Sequence, residues 1–136
     1  MRKGSMPIIV ITVISIFIGC FIIFSTIYAP EIVLRADDAF KTLTIKSGTF
    51  FTIELETNPS TGYSWTYSIT NNNVIQYISS EYIPPKDTTV VGASGIQRFV
   101  FRGMSDGETS IKMKYEKSYA QQTEPAQFRD FKIIVK

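Results

Sequence analysis

Few side chains in this chain of 136 residues are able to carry out acid–base or nucleophilic chemistry. The sequence contains no histidine and a single cysteine, Cys20. Without histidine, neither a Ser-His-Asp triad nor a Cys-His pair can form, and a histidine-based metal site is excluded. We therefore expect no metal ion and no other cofactor.

Two pairs of carboxylates remain as candidates for catalysis. Glu54 and Glu56 alternate along a predicted strand, whereas Asp37 and Asp38 lie in a predicted linker. A catalytic acid or base must lie within hydrogen-bond reach of the group on which it acts. Solvated surface charge is the simpler interpretation of both pairs, so we predict that the protein is not an enzyme. An enzyme that uses clustered carboxylates is the remote alternative.

Residues 58–65, with the sequence NPSTGYSW, have a composition suited to binding rather than catalysis. Pro59 fixes its own φ, Gly62 permits a positive φ, and Asn58 can form hydrogen bonds with nearby backbone groups. A loop stiffened in this way loses little conformational entropy when it binds a partner. The alternative interpretation is a tight turn between two strands that has no partner.

A second candidate loop spans residues 84–97, which is long for a connection between neighbouring strands. Its glycines, Gly92 and Gly95, bracket Ala93 and Ser94 and would let the backbone approach another surface closely.

A third candidate loop, residues 117–127, places Lys117 and Tyr119 just past a predicted strand. An exposed aromatic ring beside a cation is typical of binding interfaces, although a core tyrosine at a strand end is equally consistent with the pattern. In a β-sandwich these three connections can all emerge at one end, where they would form a single three-part edge.

The strands that hold these loops are predicted from period-2 alternation of apolar and polar residues. About seven short strands in about 100 residues predict an all-β fold, an immunoglobulin-like β-sandwich, with a small barrel as the alternative. Residues 74–82 form a less regular strand, and Asp106-Gly107 predicts a hairpin. The apolar positions of the other strands are Phe40, Leu43 and Ile45; Phe51, Ile53 and Leu55; Trp65, Tyr67 and Ile69; Phe99 and Phe101; Ile111, Met113 and Tyr115; and Phe131, Ile133 and Val135.

Residues 8–29 carry no charge and are long enough to cross a bilayer as a helix. Arg2 and Lys3 precede this segment, so the positive-inside rule predicts that the N-terminus stays in the cytoplasm and that the rest is exported. A cleaved signal peptide, or a lipoprotein acylated at Cys20, is the alternative. We expect the domain to be membrane-anchored on the extracytoplasmic side, or secreted if the segment is cleaved. The predicted parts are a cytoplasmic stub with the anchor (1–29), a linker (30–39) and the sandwich domain (40–136).

The exported part is predicted to carry no net charge. The chain has 14 Lys and Arg against 12 Asp and Glu, and Arg2 and Lys3 lie before the apolar segment. No excess of positive charge is left to neutralise phosphates, so nucleic acid is not an expected partner. Cys20 lies within the apolar segment, which excludes a disulfide in the exported domain. The domain must therefore be stabilised by its hydrophobic core alone, and we expect it to be a monomer.

The three candidate loops can be compared, in order along the chain, with three loop motifs: N-P-T-T-G-Y/F, G-x-x-G and R-P-W. Residues 58–63 match the first with Ser60 in place of a threonine, and Trp65 follows as the expected tryptophan. Residues 92–95 match the second, and residues 117–119 replace the third with Lys-Ser-Tyr, which lacks its proline and its arginine. In these motifs the chain resembles the chagasin-like inhibitors of papain-type cysteine peptidases, over roughly residues 40–136.

The resemblance implies a protein inhibitor whose three loops fill the peptidase cleft as a wedge, without a covalent bond. It places Thr61 against the catalytic cysteine, the second motif along one rim, and the third motif on the other side. We expect both Tyr63 and Trp65 to serve the core rather than the target, because they begin an alternating strand. The alternative is a membrane-tethered immunoglobulin-like module that binds another surface protein or a polysaccharide. The implied peptidase-binding residues are Asn58, Pro59, Ser60, Thr61, Gly62, Tyr63, Gly92, Ala93, Ser94, Gly95, Lys117 and Tyr119.

Overall fold

The computed structural model describes residues 31–86, 92–117 and 126–136, and within these ranges it contains eight strands in two four-stranded sheets. Sheet A has the order β1-β3-β6-β5, and sheet B has the order β2-β8-β7-β4. The predicted all-β fold is confirmed, with one strand, β1, more than the seven expected. The strands are β1 (Ile32–Leu34), β2 (Thr42–Ile45), β3 (Phe50–Thr57), β4 (Tyr63–Ile69), β5 (Ile75–Ile83), β6 (Gly95–Gly103), β7 (Gly107–Lys117) and β8 (Gln127–Val135).

The hydrophobic core is built from the alternating apolar positions of both sheets. Phe51 and Phe101 lie opposite each other on β3 and β6 and stack with ring centroids 5.6 Å apart. The period-2 pattern predicted these positions because successive side chains of a strand point to opposite faces. Other buried members of the core are Ile45, Ile53, Leu55, Trp65, Val74, Ile75, Phe99, Ile111, Met113, Phe131, Ile133 and Val135.

The predicted linker, residues 30–39, is wrong over most of its length. Ile32–Leu34 pairs in parallel with β3, and Ile32 and Leu34 pack against the core. A 3₁₀ turn, Ala36–Asp38, then carries the chain from sheet A to sheet B. A strand of three residues is too short to show an alternating pattern, so periodicity could not reveal it.

Phe40 does not begin the first predicted strand as an inward residue. The strand starts at Thr42, and the Phe40 side chain is 80% exposed at a φ of +67°. Its backbone N–H donates a hydrogen bond to the Asp130 carbonyl, so the left-handed residue brings the chain alongside β8. Tyr67, also predicted to point into the core, remains 37% exposed because β4 is an edge strand of sheet B.

The hairpin predicted at Asp106-Gly107 is wrong, because the segment after Gly103 connects β6 of sheet A to β7 of sheet B. Gly107 has a φ of +149°, and a Cβ there would lie 2.8 Å from Cγ2 of Val74. The glycine therefore serves a close passage between the sheets rather than a two-strand turn.

The outer face of β3 is less hydrated than the alternating pattern predicts. Thr52 is buried, and the Glu54 side chain is 13% exposed. Arg98 of β6 donates hydrogen bonds to Glu54 at 2.6 Å and to Glu81 of β5 at 3.1 Å. The bond to the Glu54 carboxylate raises the pKa of Arg98. Glu54 is therefore engaged in a cross-strand ion pair rather than in a carboxylate pair with Glu56.

Strand register places the flanking strand ends of three connections at one end of the domain, called the loop end. Thr57 at the end of β3 pairs with Gly95 at the start of β6, and Tyr63 at the start of β4 pairs with Lys117 at the end of β7. The loop end thus carries residues 58–62 of the first loop, the described parts of the second loop (84–86 and 92–97) and the strand ends Lys117 and Gln127 that bound the third loop. The opposite end, called the far end, carries the turns 46–49, 70–74 and 104–106.

Within the described ranges, no helix has the length and the apolar character that crossing a bilayer requires. The predicted membrane segment, residues 8–29, lies outside those ranges.

Candidate functional site

The first loop is a short 3₁₀ turn, Pro59–Thr61, stabilised by its own side chains. The side-chain oxygen of Asn58 accepts hydrogen bonds from the Ser60 backbone N–H at 3.2 Å and from the Ser60 hydroxyl at 2.6 Å. The Thr61 hydroxyl donates to the Asn58 carbonyl at 2.6 Å. Gly62 ends the turn in the left-handed conformation, as the sequence predicted. The loop therefore holds its shape while Pro59, Ser60, Thr61 and Gly62 stay exposed.

Asn58 also joins the first loop to two neighbours. Its side-chain amide donates a hydrogen bond of 2.9 Å to the Gly92 carbonyl in the second loop. Its backbone N–H donates to the Tyr115 hydroxyl on β7 at 3.2 Å. Asn58 is half-buried, so its polar groups position the loops rather than face outward.

Three aromatic rings, those of Tyr63, Tyr115 and Trp65, pack together next to the first loop. Tyr115 lies between Tyr63 and Trp65, with centroid distances of 5.3 Å and 4.9 Å. The Trp65 indole N–H donates to the Glu56 carbonyl at 2.8 Å, which ties β4 to the end of β3. Trp65 is buried as expected, and Tyr63 is half-buried.

The two positions of the second motif are occupied by glycine for different structural reasons. Gly92 is exposed and has a φ of +81°, with nothing within 4 Å of a Cβ placed there. Gly95 is buried at the start of β6, where a Cβ would lie 2.5 Å from the Tyr82 hydroxyl. Between them, Ala93 is half-buried and Ser94 is exposed.

Lys117 is the last residue of β7 and is exposed at the loop end. Its ammonium group lies 5.2 Å from the centroid of the Tyr63 ring, a cation–π contact with the strand that follows the first loop. Tyr119 lies outside the described residues. The structure thus brings the first motif, the second motif and the first residue of the third to one end.

Sequence reasoning missed Tyr115 as a part of this site, and it included Gln127 only as the last residue of the third candidate loop. Both line a cleft of about 210 Å³ with Asn58 and Ser94, between the first and second loops. Tyr115 was assigned only to an alternating strand, because a hydroxyl that bonds to a distant loop leaves no local pattern. The pairing of Tyr115 with Trp65, near the C-terminal end of β7, places it at this end only once the strand register is known.

The arrangement offers an exposed turn that is held by hydrogen bonds within the loop. The hydroxyls of Ser60 and Thr61 both donate hydrogen bonds within the loop. In the part of the chain that the structure describes, no group of three or more His, Cys, Asp or Glu side chains could hold a metal ion.

Known proteins resemble this chain in sequence and in fold. The sequence model of the chagasin family peptidase inhibitors, I42, matches residues 44–135. Amoebiasin-2 of Entamoeba histolytica is 24% identical over 120 residues, 88% of this chain and 98% of that protein. The crystal structure of the cysteine protease inhibitor EhICP2 from the same organism has a TM-score of 0.70 and 22% identity, covering 79% of this chain and all of that one.

A further structure with this fold is that of PbICP-C in complex with falcipain-2. Its TM-score is 0.52 at 22% identity, over 79% of this chain and 93% of that chain. The sequence match to the family model covers well over half of the chain and includes the first two loop motifs and Lys117. This protein therefore belongs to the chagasin family of peptidase inhibitors.

Proposed function

We propose that the loop end inhibits papain-type cysteine peptidases reversibly and without a covalent bond, by occupying the active-site cleft. The observation that carries this proposal is the first loop, a 3₁₀ turn held by its own side chains while Pro59, Ser60 and Thr61 stay exposed. Family membership supports the class of target, and PbICP-C, which shares the fold, has been solved with falcipain-2 bound.

The three loops would divide the cleft between them. The first loop, with Thr61 at its tip, would enter the cleft and lie against the catalytic cysteine. The second loop, held to it through the Asn58–Gly92 hydrogen bond, would follow one rim. Lys117 and Tyr119 would pack on the other side. Lysine replaces the arginine of the family motif and offers a single charge rather than a planar fork, so contacts there are less directional.

Affinity would come from loops that already have their binding conformation in the free protein. A standard protein–protein interface buries about 1,600 Å² in total, and its net free energy depends on how little must be ordered on contact. Asn58 bonds to the turn, to the second loop and to Tyr115, so the first two loops are already linked in the free protein.

Two backbone hydrogen bonds within the first loop would protect it from cleavage. The backbone N–H of Thr61 donates to the Asn58 carbonyl at 3.1 Å, and that of Gly62 donates to the Pro59 carbonyl at 3.0 Å. A peptide bond inside such a turn cannot become extended along a cleft unless these bonds break. The loop would therefore block the thiolate without presenting an aligned scissile bond to it.

Titration of the purified full chain against papain and a cathepsin L-type enzyme tests the proposal. Hydrolysis of a fluorogenic peptide is followed, and a serine peptidase serves as the control. We expect nanomolar inhibition of the papain-type enzymes alone, and a 1:1 stoichiometry if the chain is a monomer. Full activity of both enzymes at micromolar concentrations of the chain would contradict the proposal.

We also propose that residues 8–29 anchor the domain to a membrane, with the domain on the extracytoplasmic side. The proposal is supported by the absence of charge in residues 8–29 and by Arg2 and Lys3 before them. Protease protection of the chain in membrane vesicles tests the anchor and its orientation. The intact mass of the chain then shows whether the segment is cleaved or acylated at Cys20. The comparisons lend no support to the alternative, a tethered module for a surface protein or polysaccharide.

A further inference from the structure

Tyr82 is an exposed aromatic residue beside the second loop, outside all three loop motifs. It is the next-to-last residue of β5, and its side chain is 45% exposed. Its cross-strand partner is Gln97, which pairs in turn with the buried Leu55. Directly paired residues share a face, so Tyr82 points to the inner side of sheet A. Its exposure follows from the position of β5 at the edge of that sheet.

The end of the Tyr82 ring reaches the loop end. A Cβ on Gly95 would lie 2.5 Å from the Tyr82 hydroxyl and 2.6 Å from its Cε2. Gly95 is the last residue of the second motif and leads that loop into β6. A side chain at Gly95 would therefore clash with the Ile83 carbonyl oxygen, 2.5 Å from such a Cβ, as well as with the edge of the Tyr82 ring.

Gln97, the cross-strand partner of Tyr82, connects the two sheets. The side chain of Gln97 accepts a hydrogen bond of 3.4 Å from the Trp65 backbone N–H on β4. A tyrosine on such a support offers a large contact area with only two side-chain torsions to order, and tyrosine is enriched among residues that dominate binding energy.

We propose that Tyr82 makes an additional contact with the bound cysteine peptidase, packing on the rim of the cleft next to the second loop. This inference rests on the proposed function of the loop end. The peptidase is the expected occupant because the ring lies against Gly95, in the loop that the proposed function places along one rim of the cleft. A second copy of this chain at the free edge of β5 is a different occupant, and the test below distinguishes it.

Hydroxyl-radical footprinting of the full chain, free and bound to papain whose catalytic cysteine is replaced by alanine, tests the contact. We expect oxidation of Tyr82 to fall at least fivefold in the complex. Tyr67 is the matched control, since it is 37% exposed and lies on β4 away from the loop end. Its oxidation should be the same in both samples. Protection of Tyr82 in the free chain as its concentration rises would instead indicate a second copy and overturn the inference.

Inhibition by two Tyr82 variants provides the second readout. Tyr82→Ala should raise the inhibition constant about 10–100-fold, and Tyr82→Phe, which keeps the ring, by less than about threefold. Phe50→Ala is the control, because Phe50 is 53% exposed at the far end and its removal should leave inhibition unchanged.

The outcomes separate this inference from the proposed function. If the unmodified chain does not inhibit papain-type enzymes, both are wrong. If it inhibits, but Tyr82 is oxidised equally in the complex, only the Tyr82 contact is wrong. The contact is equally overturned if Tyr82→Ala weakens inhibition no more than Phe50→Ala.

Discussion

The two ends of the sandwich use their hydrogen bonds for different purposes. At the far end, bonds connect turns to other turns and strands, and they close the sandwich over buried core residues such as Val74 and Val135. At the loop end, Asn58 and Thr61 direct their side-chain bonds into the first loop and its immediate neighbours. The far-end bonds include Gly48 N–H to Gly103 O, Met104 N–H to Val74 O, Asn71 N–H to Thr109 Oγ1 and Ser105 Oγ to Asn73 O.

The comparison indicates that different residues determine the shape of the first loop and the stability of the fold. The exposed tip of the first loop depends on Asn58, Ser60 and Thr61 and adds little to the core. The far end depends on close packing between turns. Changes at the loop end should therefore alter binding more than stability, and changes at the far end should do the reverse.

The largest expected effect is on binding, from Thr61→Arg at the tip of the first loop. The larger side chain should prevent entry into the cleft and weaken inhibition more than about 100-fold, or about 2.7 kcal/mol. Thr61→Val is the matched control, because both variants lose the hydroxyl bond to Asn58, worth about 0.5–1.5 kcal/mol of stability. Inhibition constants and thermal unfolding check the pair. Equal loss of inhibition in both variants would mean that the hydroxyl, not the space, matters.

The next effect is on stability, and it compares one glycine from each end. Gly107→Ala should destabilise the fold by about 2–3 kcal/mol, because it adds a contact with Val74 to an unfavourable φ. Gly62→Ala has open space around it and should cost only about 1 kcal/mol for its left-handed conformation. Urea unfolding measures both. Similar losses at the two ends would contradict the difference in packing.

A smaller effect is expected from Asn58→Asp, which retains an acceptor for Ser60 but loses the donor to Gly92. Separating the first two loops should weaken inhibition about tenfold, or about 1.4 kcal/mol. Asn71→Asp makes the same change at the far end, where the side-chain oxygen accepts a bond from the Asn73 N–H. That control should inhibit normally. An unchanged inhibition constant in Asn58→Asp would show that the link between the loops is dispensable.

The smallest effect concerns pH and Asp38, which belongs to neither end. Hydrogen bonds from the Arg35 backbone N–H and the Lys41 ammonium lower the pKa of Asp38 below its ordinary value of 3.8. A lowered pKa in the folded state contributes stability above the ordinary value, and this is lost as the pH falls through the folded-state value. The unfolding temperature of Asp38→Asn should therefore lie slightly below that of the unmodified chain at pH 7. The difference should shrink below about pH 4. A difference that grows in acid would contradict the assignment.

The sequence predicted most of the core of this fold, for a simple reason. Residues such as Phe51, Ile53 and Phe101 alternate regularly, and alternation is a local property of the chain. Three features depended on distant partners and were missed. β1 is defined by its pairing with β3, the Gly107 passage by its approach to Val74, and the conformation of Phe40 by the position of β8.

The candidate site was predicted from the same kind of local signal, with the same limit. Asn58, Pro59 and Gly62 form the stiff turn that their types indicate. Tyr115 and Tyr82 reach the loop end from strands whose patterns say nothing about loops. The role of Gly95 also differs from the expected one, since it makes room for the Ile83 carbonyl and the Tyr82 ring.

Amide hydrogen exchange of the full chain, with and without papain whose catalytic cysteine is replaced by alanine, tests the central claim most directly. The account predicts slower exchange in residues 58–63 and 92–95 on binding, with unchanged exchange in the far-end turns 46–49 and 104–106. Protection confined to the far end, or to the outer face of either sheet, would contradict the assignment of the loop end as the peptidase-binding surface.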